Sequence, residues 1–218
     1  MYIATYWIVF TTFIRMGLDN YPLFLIPGYL AWNFTFNSLL TSSNSIIQGN
    51  HLLNKIAFPI EILPLTSIGI SLFDYLISML IYFIALLIIP GISVISYPLL
   101  MFPVLLLILI LITTGLALIV ACLSVYFRDV PQLVQVGGTI FFFLTPIFYP
   151  LDFIPEKIRA ILIFNPVAQV IVYFQKIFYY GSFPDTGHLV ITFIISLLVF
   201  FTGLAIFNNH KYSFAELS

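Results

Sequence analysis

A chain of 218 residues with 62% hydrophobic side chains and only 7% charged ones lies far from the roughly one-quarter charged make-up of a soluble domain, and its composition is that of a membrane protein. A net charge of −1 without any basic or acidic block leaves no surface for nucleic acid, which needs clustered Lys and Arg. The one cysteine, Cys122, can form no internal disulfide, and in its apolar run it reads as a small core residue rather than a reactive thiol. No basic stretch precedes the first apolar run, so no cleavable signal is expected.

A helix needs roughly 20 mostly apolar residues to cross about 30 Å of hydrocarbon. The first apolar run supplies a short span at about 1–18, which carries Arg15. Asn20 to Asn54 holds no Asp, Glu, Lys or Arg and supplies a second span at about 23–47. Tyr75 to Phe127 is also uncharged and too long for one span. Pro90-Gly91 and Ser96-Tyr97-Pro98 break it into a hairpin, giving spans at about 65–89 and 98–126. A fifth span, about 131–149, ends at Thr145-Pro146 and Tyr149-Pro150, and a sixth covers about 187–207. Between these two, Phe153 to Phe164 carries Glu156, Lys157 and Arg159, and Pro166 to Tyr180 is only about four turns long. Segments of that length dip into a membrane or lie along it. Asn165-Pro166, a cap followed by Pro at the first helical position, separates them. The expected fold is an all-α integral membrane protein. It has six transmembrane helices, with two short re-entrant half-helices, at 150–183, between helices five and six. The whole chain, 1–218, forms a single transmembrane domain. Charge does not orient it: Lys55, Arg128 and Lys211 fall on one side, and Arg15, Lys157, Arg159 and Lys176 on the other.

Particular segments narrow the family. Val125-Tyr126-Phe127-Arg128-Asp129-Val130-Pro131, then Leu144-Thr145-Pro146-Ile147-Phe148-Tyr149-Pro150, then Asn165-Pro166, in this order and spacing, resemble the permease subunit of type-2 ABC exporters that move lipid-linked polysaccharides. Leu25-Ile26-Pro27-Gly28-Tyr29-Leu30-Ala31-Trp32 resembles that family's second helix. Asn54-Lys55-Ile56-Ala57-Phe58-Pro59 resembles its first cytoplasmic loop, and Phe214-Ala215-Glu216 its C-terminus. The resemblance covers essentially the whole chain. It implies a homodimer in the cytoplasmic membrane of a bacterium or archaeon, carrying two separate ATPase subunits that hold ATP and Mg, with no cofactor or metal on this chain. The family also places an amphipathic helix before the first span. Here the first span begins at Met1, short and without basic residues ahead of it, so a Lys/Arg-rich amphipathic extension upstream of Met1 is expected.

Residue by residue, each candidate has a plainer alternative. No GxxxxGK[ST] occurs, nor any Gly-Lys pair, so this chain has no P-loop and energy must come from a partner. The loop 48–64, with His51, Lys55, Phe58 and Glu61, is either an ordinary solvated loop or, as the resemblance implies, the coupling helix that docks into the ATPase. Arg128-Asp129 is a stop-transfer charge at the interface, or a cytoplasmic gate and contact for a lipid pyrophosphate. Asp74 lies near mid-bilayer in the third span, where an ionisable group is costly. Ser71 and Ser78, a turn to either side, would cap it as a structural residue, and the alternative is a functional site. Tyr6, Trp7, Phe10 and Phe13 on the first span, and Phe141, Phe142, Phe148 and Tyr149 on the fifth, are candidates for a channel wall, since aromatic faces stack on sugar C–H surfaces. The alternative is lipid-facing and interfacial rings, which accounts for most of the 24 Phe. Glu156, Lys157 and Arg159 form either an external gate or a charged surface hairpin.

Two classes of function fit this chain. The first is a transport subunit for a lipid-linked polysaccharide, or in a variant for a drug or small lipid, driven by a separate ATPase. The second is an intramembrane glycosyl- or acyltransferase. Such enzymes cluster acids or histidines at a membrane face, often around a metal. Here the acids are scattered, no Asp-x-Asp occurs, and His51, His188 and His210 lie far apart, which favours transport.

Overall fold

The computed structural model describes residues 5, 18, 20–53, 59–88, 97–162 and 164–211, with the backbone alone for 50–53, 160 and 161. The helices in chain order are α1 (Tyr21–Leu53), α2 (Ile62–Ile88), α3 (Phe102–Tyr126), α4 (Val130–Leu144), α5 (Glu156–Leu162), α6 (Pro166–Phe178) and α7 (Thr186–His210). A short 3₁₀ turn, Tyr97–Met101, leads into α3. No strand occurs among the described residues.

These are the helices of an integral membrane protein. Ile62–Ile88, Tyr97–Tyr126 and Thr186–His210 are each long and apolar enough to cross a bilayer. α1 is longer, at 33 residues, but Asn33 and Asn37 interrupt its apolar run. It extends past the expected end of the second span and takes residues 48–53 of the expected loop into the same helix. The first expected span, apart from Thr5 and Leu18, lies outside the described residues. α4 has 15 residues and stops at Leu144, short of the expected 149. The cause is local: Thr145 closes the last helical bond onto the Phe141 carbonyl, and Pro146 has no N–H to continue it.

α1 is the hub, packed against α2, α3, α4 and α6. Towards α1, α2 presents a buried stripe of Ile68, Ser71, Tyr75, Met79, Tyr82 and Leu86 at helical spacing. The Tyr82 hydroxyl crosses to the Leu23 carbonyl at 3.1 Å. α1 and α3 share a buried hydroxyl pair, Thr35 and Thr113, at 3.1 Å. α3 and α7 approach closely at Gly115 and Gly203. A Cβ on Gly115 would lie 2.5 Å from the Val199 carbonyl oxygen, and one on Gly203 would collide with the Gly115 carbonyl.

α6 is buried on nearly every side, although it carries Gln169, Gln175 and Lys176. Asn165 caps it, its Oδ1 accepting from the Val167 and Ala168 N–H groups at 3.1 and 3.2 Å. Gly28 of α1 lets α6 come close, for a Cβ there would lie 3.1 Å from Ile171 and 3.3 Å from the Gln175 side chain. The buried Gln175 side chain donates to the Pro146 carbonyl at 2.8 Å and to Ile147 at 3.3 Å. From α1 the Tyr21 hydroxyl donates to the Phe148 carbonyl at 3.0 Å. The break after α4 is thereby stitched to both α6 and α1.

Two outcomes follow for stability in detergent. Gln175→Leu leaves buried carbonyls short of a donor and lowers stability by about 1–3 kcal/mol, read as the thermal unfolding midpoint; an unchanged midpoint would mean that water replaces the amide. Gly115→Val, which overpacks α3 against α7, costs a similar ~1–3 kcal/mol, whereas the same change at the open Gly69 has no comparable effect.

Candidate functional site

At one end of the bundle the C-termini of α3 and α7 meet the start of α2. The Lys211 Nζ donates to Glu61 Oε1 at 2.6 Å, and the Tyr126 hydroxyl lies 2.9 Å from His210 Nδ1. Beneath them Ile46, Leu118, Ala121, Cys122 and Phe207 form a small buried cluster, so Cys122 sits among apolar neighbours. Glu61 is thus held within the chain by Lys211, a partner 150 residues away that sequence spacing does not suggest. The hydrogen bond from Lys211, then the backbone N–H of Glu61 itself, pulls the Glu61 pKa below the ordinary glutamate value. Arg128 and Asp129 are exposed in the turn between α3 and α4 and make no ion pair among the described residues. His51 lies on the last turn of α1, where only the backbone is described, and Lys55 and Phe58 lie outside the described residues.

At mid-depth α1 and α4 place aromatic rings side by side. Phe142 packs 6.0 Å from Trp32 and 6.3 Å from Tyr29, and Trp32 stacks on Phe36 at 6.5 Å and 9°. They border a cavity of about 360 Å³ with Phe143 and Gly138. Gly138 makes room there for the Phe36 ring, which a Cβ would displace. The fifth-span candidates separate. Phe142 and Phe141 line cavities, Phe141 one of about 530 Å³ walled by α1, α3 and α4. Phe148 is 1% exposed and packs under Phe142 at 4.8 Å. Tyr149 turns its hydroxyl back onto the Phe143 and Leu144 carbonyls, at 2.9 and 3.3 Å, and so caps α4. Sequence reading passed over Tyr29, Trp32 and Phe36 as a set, although their i, i+3, i+7 spacing puts them on one helical face. Tyr6, Trp7, Phe10 and Phe13 lie outside the described residues.

At the other end a cavity of about 590 Å³ is bordered by Asp152, Arg159, Lys176 and Tyr180. Of the three expected gate residues, Glu156 and Lys157 are exposed on α5, while Arg159 is half-buried. Arg159 reaches the Ile154 carbonyl at 3.4 Å and Asp152 at 3.6 Å. Lys176, on α6, joins it at the cavity. Asp185 caps α7, accepting from the His188 N–H at 3.0 Å, and that bond lowers its pKa. Asp74 stands midway along α2 and lines a groove against α1. Ser71, expected to cap it, donates instead to the Ser67 carbonyl at 3.1 Å.

Residues 1–179 match the ABC-2 type transporter family. The chain belongs to that family. Among curated relatives, an O-antigen export system permease protein RfbA of Klebsiella pneumoniae is 30% identical over 220 residues, covering all of this chain and 83% of that protein. A protein of the same description from Myxococcus xanthus is 29% identical, over 99% of this chain and 83% of its own length. As an ABC-2 family member the chain is a multi-pass membrane protein and a transport subunit rather than an enzyme.

In this ABC-2 chain the Glu61–Lys211 bridge has a defined pH signature. A carboxylate whose folded pKa lies below its unfolded one adds stability in full above the unfolded value, and that stability is lost as pH falls through the folded value. Glu61→Gln therefore lowers stability at pH 7 by about 0.5 kcal/mol, and the difference from wild type closes as the pH falls below about 4. A gap that stays constant down to about pH 3 would assign the effect to packing rather than charge.

Proposed function

We propose that the chain is the membrane-spanning subunit of an ABC exporter that moves a lipid-linked polysaccharide across the cytoplasmic membrane. The observation that carries this reading is similarity along the whole chain to O-antigen export permeases. The ring set of Tyr29, Trp32, Phe36 and Phe142 supports it, since stacked aromatic faces take sugars of many kinds on their C–H surfaces. In this reading two copies pair, six helices per copy cross the bilayer in a single domain, and α5 and α6 are re-entrant half-helices. Two separate ATPase subunits, holding ATP and Mg, dock against the region 48–64, through His51, Lys55 and Phe58. Glu61 serves from the rear, tying that region through Lys211 to α7. A push on the start of α2 is then shared with α7 as a rigid unit. Arg128 and Asp129 sit at the same end as a gate or pyrophosphate contact, and Arg159, with Glu156 and Lys157 beside it, borders the exit.

A second reading, export of a small lipid, is favoured by the apolar cavity among Leu39, Leu116, Leu133 and Phe141. One assay decides between them. Proteoliposomes carrying this chain and its ATPase are given ATP and either the lipid-linked glycan or the same lipid without sugar. ATP-dependent movement of the glycan-bearing substrate is expected. Trp32→Ala with Phe142→Ala should reduce it about tenfold, as loss of one to two stacking contacts predicts. Equal transport of the sugar-free lipid, unaffected by the double variant, would favour the second reading.

A further inference from the structure

The groove between α1 and α2 carries chemistry that the aromatic set does not. Asn33, Asn37, Thr41 and Asn44 follow one another at helical spacing on α1, and Ser71 and Asp74 answer them from α2. They border a cavity of about 460 Å³, and the α1 stripe runs roughly 17 Å along the helix. Asp74 stands about 18 Å from the start of α2, well inside the membrane-spanning length. Amides and a carboxylate at that depth are costly against lipid, and side chains of this kind face a protein partner, water or a ligand.

The internal hydrogen bonds say which ligand. Thr41 donates to the Asn37 carbonyl at 2.7 Å, and Ser71 donates to its own helix, so both hydroxyls have used their proton and keep lone pairs. Asn37 donates from Nδ2 to Asn33 Oδ1 at 3.2 Å, and Asn44 from Nδ2 to the Leu40 carbonyl at 3.0 Å. The Oδ1 atoms of Asn37 and Asn44 remain as acceptors, and the Asn33 NH2 remains as a donor. Asp74 makes no hydrogen bond or ion pair among the described residues and adds a carboxyl group. Tyr75, which also borders the groove, is 3% exposed and has a buried hydroxyl with no partner among those residues. No Lys or Arg among the described residues borders the cavity. A wall of amides and hydroxyls that both donate and accept, around one carboxylate and without a cation among the described residues, matches sugar hydroxyls, which also do both, and offers phosphate no opposite charge.

We propose that this groove is a glycan-binding site at mid-membrane depth, which holds uncharged, hydroxyl-bearing sugars and excludes the phosphate end of the substrate. This inference rests on the reading of the chain as a polysaccharide exporter. It places sugar recognition on α1 and α2, apart from the rings shared by α1 and α4.

The test uses the exporter assembled with its ATPase, in membranes, in a Cys122→Ala background. Single cysteines are placed at Asn37 and, independently, at Thr41, both exposed in the groove. Each is treated with a small water-soluble thiol reagent in membranes from cells that make the lipid-linked glycan and from cells whose glycan synthesis is blocked. Both cysteines are expected to react, and the glycan to slow the reaction about fivefold, as occupancy of some 80% of sites requires. Inorganic pyrophosphate, added instead, should leave the rate unchanged. Asn37→Leu with Asp74→Leu should lower export about tenfold, with ATPase association intact. Failure of both cysteines to react overturns the proposal, because the groove is then dry. Equal reaction with and without glycan overturns it as well, the groove being a water lane only. So does protection by pyrophosphate or by sodium ions instead. Disulfide formation between the Asn37 cysteine and its counterpart in a second copy, or one placed within residues 2–17, would show protein covering the groove and reject it. Export by the wild type, measured alongside, separates the two readings. An exporting wild type matched by the double-leucine variant rejects the groove alone. A wild type that exports no glycan rejects the transport reading itself.

Discussion

α4 ends inside the protein, and the carbonyls freed at Pro146, Ile147 and Phe148 have no bulk water to turn to. In hydrocarbon each unsatisfied carbonyl costs several kcal/mol, so a broken helix survives only where protein supplies the missing donors. Gln175 supplies them to Pro146 and Ile147, and Tyr21 to Phe148. Much of the rest depends on this. Gln175 can reach only because α6 is buried against α1, and α6 can come that close only because position 28 has no side chain. Phe148, held by its own carbonyl, supports Phe142, which in turn faces Trp32 and Tyr29.

The two ends of the bundle are built differently. At the α2 start the polar contacts join elements distant in sequence, Glu61 with Lys211 and Tyr126 with His210, above a small apolar cluster. These contacts tie the start of α2 to α7 and α7 to α3, and the last two helices are locked by the Gly115–Gly203 contact, which leaves little room for sliding. At the opposite end Arg159 and Lys176 border an open cavity, and α5 is a short helix with mostly exposed side chains.

α1 serves four neighbours at once, with Gly28 turned to α6. Its aromatic residues face α4, its Thr35 meets Thr113 of α3, and its amide stripe faces α2. That division explains why the helix is less apolar than α2, α3 or α7 although it lies at the centre of the bundle. A helix surrounded by protein and polar space does not need the uniform apolar surface that lipid demands.

Much of this was legible in the residues themselves, for a physical reason. An uncharged apolar run, a Pro that forbids a helical bond and an Asn-Pro start are local facts. They placed α2, α3, α7 and the cap of α6 at Asn165, and named Thr145-Pro146 as one of two breaks after α4, which ends at the first of them and not at the expected 149. The segments around Arg128-Asp129 and Thr145-Pro146 also carried the family. What no local pattern contains is which partner a side chain finds. Ser71 was expected on Asp74 and bonds its own helix instead. Glu61 was expected to face a partner protein and is met by Lys211, and Phe148 was expected on a wall and lies in the core. The length of α1 likewise escaped the window of apolar residues, since backbone hydrogen bonds carry a helix beyond the stretch that hydrocarbon requires. Sequence determined which segments are helices in a membrane and where they break. Only the tertiary structure decided which faces meet, because a helix has several faces and only packing chooses among them.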